Sequence, residues 1–136
     1  MKIFKTLSIL AAIWALLGVP GFFNTLPAAL NYRIEYAFLV FGHVLTELCI
    51  VTGSMLALKE KMNIAQWLLI FGCVFSAYGR ITEGYHYHYP HYFSYKFNFF
   101  YGEKELQNGF SIDLPFAALA ALMFYHWPTQ PIHRKP

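Results

Sequence analysis

His43 and Glu47 stand four residues apart in a long uncharged stretch. That spacing puts both on one face of a helix, with the imidazole about 6 Å along the axis from the carboxylate. An acid at mid-bilayer costs at least a few kcal/mol unless it is protonated, paired or facing water. The pair could therefore handle a proton, contact a quinone or a lipid headgroup, or supply two ligands to a metal. The same two residues could equally form an interhelical hydrogen bond that fixes packing. Arg80, Glu83 and Asp113 form a second set. Arg80 could hold an anionic or carbonyl group, or pair with Asp113 or Glu83 as an ion pair at a helix boundary. Asp113 is expected in the first turn of a helix, where the dipole favours a carboxylate, with Ser111 as its N-cap. The candidate ligand-binding residues are thus Glu47, His43, Arg80 and Asp113. His43, Glu47 and Arg80 are the candidates for any catalysis.

A third set lies in the segment GYHYHYPHYFSYKFNFFY over 84–101, where His86, His88 and His91 alternate with tyrosine and phenylalanine. Imidazoles suit zinc or copper, and an extended chain would point His86 and His88 to one side. The plainer reading, and the favoured one, is an aromatic belt at the headgroup level that uses histidine as a polar tip. Pro90 interrupts any regular element there. A bis-histidine haem between His43 and His126 is disfavoured, because the two fall at different depths and axial ligands must meet at one. Cys49 and Cys73 have no CxxC spacing and read as small buried apolar residues. There is no phosphate loop, GxSxG or HExxH.

The elements that must position these groups follow from composition. The chain has 136 residues, enough for one domain. Charged residues make up 12%, hydrophobic ones 57% and aromatic ones 20%; soluble domains carry about 25% charged residues. So few charges cannot cover the surface of a small soluble domain. A disordered chain, a nucleic-acid binder and a disulfide-stapled module are excluded by hydrophobicity, by a diffuse net charge of +3 and by two cysteines. Four apolar spans are expected, over about 3–23, 36–58, 64–79 and 110–127. A hydrocarbon core of about 30 Å needs about 20 helical residues. The third span reaches that length only with help from Trp67, Tyr78 and a snorkelling Arg80 at its ends.

These spans predict an all-α protein: an integral-membrane four-helix bundle forming one domain over 1–136, with a long aromatic and histidine-rich outer loop between the third and fourth helices. Lys2, Lys5, Lys59, Lys61, Arg134 and Lys135 fall on one side, against Arg33, Arg80, Lys96 and Lys104 on the other. This places both termini in the cytoplasm of a bacterial-type inner membrane. The second and third spans, joined by the short turn 59–63, should be antiparallel neighbours. Gly42 and Thr46 on one, Gly72 and Ser76 on the other, would allow close approach.

The stretch from Glu47 through Gly53 to Leu58, followed by a short charged turn and an apolar span, resembles the second and third helices of DoxX-like membrane proteins over about a third of the chain. The resemblance implies four helices, a place as an accessory subunit in redox- and quinone-linked membrane assemblies, and a role for Glu47. Two functions follow as expectations. One is a non-catalytic subunit packed among membrane lipids and other membrane subunits, or among copies of itself, with no nucleic-acid partner. The other is a membrane enzyme or binding protein for a quinone, a lipid or a metal ion that uses the His43–Glu47 pair. No residue pattern names a cofactor.

Overall fold

A computed structural model describes residues 1–32, 34–82, 85–87, 95–101 and 108–127. The chain opens with α1 (Lys2–Leu16), which holds no glycine or proline. Gly18 and Pro20 follow at once. Proline lacks the N–H that would bond the carbonyl four residues back, so the ladder breaks, yet proline suits the first turn of a new helix. The result is a second helix, α2 (Val19–Tyr32), whose first ten residues are bent 42° from α1. The single span expected over 3–23 is therefore two helices, and residues 24–32 of the expected loop 24–35 are helical. Pro27 sits inside α2, where the Thr25 hydroxyl donates to the Gly21 carbonyl at 2.9 Å.

The third helix, α3 (Ile34–Leu58), has 25 residues. It ends in a Schellman closure: the Lys61 amide donates to Leu56 O, the Glu60 amide to Ala57 O, and Glu60 takes the left-handed conformation at φ 63°. α4 (Met62–Ser76) returns beside it. The next residues are strands: β1 (Tyr78–Thr82), β2 (Tyr85–Tyr87), β3 (Lys96–Tyr101) and β4 (Asn108–Asp113). α5 (Leu114–Tyr125) is the last helix among the described residues. The protein is mostly helical, as composition predicts, but a four-stranded antiparallel sheet in the order β2-β1-β4-β3 stands where an outer loop was expected.

The third expected span, 64–79, stops at Ser76, and the fourth, 110–127, starts at 114. The reason is local. Asp113 caps α5, accepting from the Phe116 amide at 3.3 Å, and Pro115 occupies the first helical turn. Residues 110–112 are then left to pair with β1 and β3. The N-cap is Asp113, and the expected cap Ser111 lies within β4.

Among the described residues one helix stretch, Ala37–Leu58, is long and apolar enough to cross a membrane, as is the bent pair α1–α2 when taken as one span. α4 and α5 are apolar but shorter, at 15 and 12 residues.

α1 and α3 run antiparallel, joined by the Lys5–Glu60 ion pair at 3.0 Å and by the Ser54 hydroxyl donating to Ser8 O at 2.7 Å. α3 and α4 meet through small residues, as their spacing predicts. The Thr46 and Ser76 hydroxyls are 3.0 Å apart. A Cβ built on Gly72 would stand 2.5 Å from Ile50 Cγ1 and 3.0 Å from Thr46 O, so only glycine permits this approach. Gly53 meets Leu69 and the Ala65 carbonyl in the same manner.

The core holds Phe4, Ile50, Leu69, Phe116 and Met123 alongside buried polar side chains: Ser8, His43, Thr46, Ser54, Gln66 and Ser76. The outward faces carry Ile9, Leu10 and Ile13; Phe38, Phe41, Leu45 and Leu48; Ile64, Trp67, Phe71 and Val74; and Leu122 and Phe124, all exposed. Lys2, Lys59, Glu60 and Lys61 are exposed at the end opposite the sheet.

Candidate functional site at the His43–Glu47 face of α3

Both residues lie in the middle third of α3 and both are enclosed, His43 at 0% exposure and Glu47 at 8%. Four residues carry the helix through about 400°, so the side chains are offset by about 40° round the axis. That offset gives them different neighbours. The His43 ring meets Phe75 of α4 edge to face at 5.7 Å, and Gly42 leaves room for the same phenyl ring. Glu47 lines a groove of about 310 Å³ with Leu16, at the end of α1, and with Val44, Leu48 and Val51. Among the described residues no hydrogen bond or ion pair reaches the Glu47 carboxylate. The two candidates share a helix face, but the groove that Glu47 lines does not include His43.

The Glu47 groove opens beside the point where α1 gives way to α2. Its lining is apolar apart from the carboxylate. Such a groove suits a narrow hydrophobic molecule with one hydrogen-bonding group. It supplies no second acid–base group and no oxyanion donor.

Arg80 and Asp113 belong to a different region, the junction of helices and sheet. Arg80 lies in β1, opposite Tyr87 on one side and Phe110 on the other, and is exposed. Asp113 is 2% exposed. Its amide donates to Ala77 O at 2.7 Å, which ties the start of α5 to the end of α4. In register, Asp113 faces Lys96 at the start of β3. Lys96 is half-buried there, beside the Asp113 carboxylate. Lys96 is a charged neighbour that spacing along the chain could not reveal, because 17 positions separate it from Asp113 and only strand register joins them. Glu83, expected beside Arg80, lies outside the described residues.

Of the histidines proposed for a metal, His86 lies in β2 opposite Ile81, while His88 and His91 lie outside the described residues. Among the described residues no three histidine, cysteine, aspartate or glutamate side chains gather as a metal would require. Cys73 is buried and Cys49 half-buried; neither is in a disulfide. His126 caps the C-terminal end of α5, far along the bundle from His43 near the C-terminal end of α4.

No protein-family model, no curated protein and no solved structure matches this chain.

Proposed function

We propose that this chain is a small integral membrane protein with four crossings, α1 with α2, α3, α4 and α5, and that it serves as a non-catalytic accessory subunit of a larger membrane assembly. The observation that carries this reading is the apolar exterior of the helices, with polar side chains among those they enclose. Serine, threonine, glutamine, histidine and glutamate side chains are buried between them, while phenylalanine, leucine, isoleucine and tryptophan face outward. Water would penalise that arrangement at about 25 cal/mol per Å² of exposed apolar surface, whereas lipid does not. Lys2, Lys5, Lys59 and Lys61 gather at one end of the bundle, which favours a cytoplasmic location for that end in a bacterial-type inner membrane.

A subunit role, rather than catalysis, is favoured because His43 packs against Phe75 while Glu47 lines a separate groove that is apolar apart from its carboxylate. The resemblance of 47–58 and the following turn to DoxX-like proteins supports a redox- or quinone-linked assembly. Extraction of the untagged protein from its own membrane in a mild detergent, followed by native mass measurement, should give a particle well above the protomer mass of 15.7 kDa. A detergent-corrected mass equal to one protomer would overturn the subunit reading.

A second reading, binding of a lipophilic molecule such as a quinone or lipid, is favoured by the Glu47 carboxylate in its apolar groove. Organic extraction of the purified protein, compared with Glu47→Gln, tests it. A co-purified molecule present in the wild type and lost in the variant supports it, and equal amounts in both refute it.

A further inference from the structure

We propose that the exposed aromatic face of the sheet is a lipid-binding surface: it continues the crossings of α4 and α5 into one leaflet and meets phospholipid headgroups at Arg80. The inference rests on the membrane reading above and goes beyond it.

Length is the first argument. At 1.5 Å per residue, α4 with 15 residues covers about 22 Å and α5 with 12 covers about 18 Å, against a hydrocarbon core of about 30 Å. Both helices fall about 8–12 Å short. Each is followed or preceded directly by a strand, β1 after α4 and β4 before α5, joined at the helix ends by the Asp113 N–H to Ala77 O bond of 2.7 Å. Three or four strand residues at about 3.3 Å each supply the missing length. That distance runs from Asp113 to the row where Arg80 stands opposite Phe110.

Backbone satisfaction is the second argument. A strand enters the bilayer at least cost where its polar backbone is paired. Between the helix ends and the Arg80 row, β4 is paired on both sides, to β1 and to β3, while β1 pairs with β2 only from Arg80 outward and β3 is the edge strand of the order β2-β1-β4-β3. β4 is paired along its whole length to β3, and Gly79, Gly109 and Ser111 are buried.

Side-chain chemistry is the third. Residues directly opposite in register share a face, so Tyr78, Phe97, Phe99, Tyr101 and Phe110 lie together with Arg80, and all are exposed. Phe99 and Phe110 stack at 4.9 Å. Lys96 and Asp113 belong to the other face. The aromatic face is continuous with the outward face of α4: a groove of about 440 Å³ joins Val74 and Ala77 to Tyr78, Phe110 and Ile112. One apolar surface thus runs from the helix onto the sheet and reaches a guanidinium at the level where the hydrocarbon ends. Tyrosine and phenylalanine with a single arginine match the interface of a leaflet, where rings are buried and a phosphate accepts from the guanidinium.

The test is quenching of tryptophan fluorescence by brominated lipid, with the full chain reconstituted in vesicles of phosphatidylcholine and phosphatidylglycerol. One variant keeps only Trp67; another carries F99W with Trp14, Trp67 and Trp127 replaced by phenylalanine. Y101W in the same background serves if F99W fails to fold. Trp67 should be quenched, and the sheet indole should be quenched more by bromine near the headgroup end of the acyl chain than by bromine near the terminal methyl. Quenching of Trp67 with none of F99W or Y101W means that water, a second copy or a partner subunit covers the face, which overturns this proposal and leaves the membrane reading standing. Quenching of neither site removes the membrane reading itself. With Arg80 in place, brominated phosphatidylglycerol should quench the sheet indole more than brominated phosphatidylcholine, and R80Q should bring that ratio to one; an unchanged ratio removes Arg80 from the headgroup contact.

Discussion

Glu47 shows how the environment of one side chain separates two roles that its position along the chain leaves open. An acid that fixed packing would reach across to a partner on another helix. Glu47 instead meets leucine and valine side chains at a groove. A carboxylate in such a place destabilises the fold by the cost of its desolvation, so replacing it with an apolar residue of similar reach should help. Glu47→Leu is expected to raise the thermal stability of the detergent-solubilised protein, by about 1–3 kcal/mol. A loss of stability of that size, in the same thermal melt, would show that Glu47 holds the bundle together. His43, enclosed against Phe75, belongs to the packing of α3 on α4. The spacing of the two residues was legible in the sequence. Their divergence was not, because an offset of about 40° decides which neighbouring helix each one meets.

At the scale of elements, two local features govern how the helices are laid down. The α3–α4 contact depends on Gly72 lying against Thr46 and Ile50. Gly72→Ala should separate the helices and lower stability by about 1–3 kcal/mol in a thermal melt, although alanine is the better helix former. A neutral or stabilising result would mean that Ile50 can move aside. The α5 start depends on Asp113. Asp113→Ala should cost about 1 kcal/mol through the lost cap, whereas Asp113→Asn, itself a good cap, should retain most of that stability; equal losses in the two variants would place the importance of Asp113 in its charge beside Lys96. Both features have sequence signals. The glycine, threonine and serine spacing predicts the close contact that Gly72 and the Thr46–Ser76 pair make. The Asp-Leu-Pro start signal at 113–115 was masked by the continuous apolar run that surrounds it. Likewise Gly18 and Pro20 mark the break between α1 and α2 inside a run whose hydropathy is uniform.

For the molecule as a whole, orientation is the property open to direct measurement. With Cys49 and Cys73 replaced by alanine, single cysteines at Lys61 and Arg80 should label from opposite sides of a sealed membrane. The first should react only with a reagent admitted to the cytoplasmic side, the second with an impermeant maleimide added outside. Labelling of both from one side would contradict the proposed arrangement of crossings.

Composition by itself determined that large apolar side chains must remain on the surface, because 12% charged residues cannot cover a chain of this length. The length of the apolar spans and small-residue spacing were enough for α3, for α4 and for their close contact. These are local quantities, readable within a few turns of helix. Only the tertiary structure decided that 78–113 contains a sheet, that Lys96 faces Asp113, and that the aromatic side chains of β3 and β4 share one face with Arg80. Strand register is set by pairing between segments distant along the chain, and a shift of one residue would send every side chain to the opposite face.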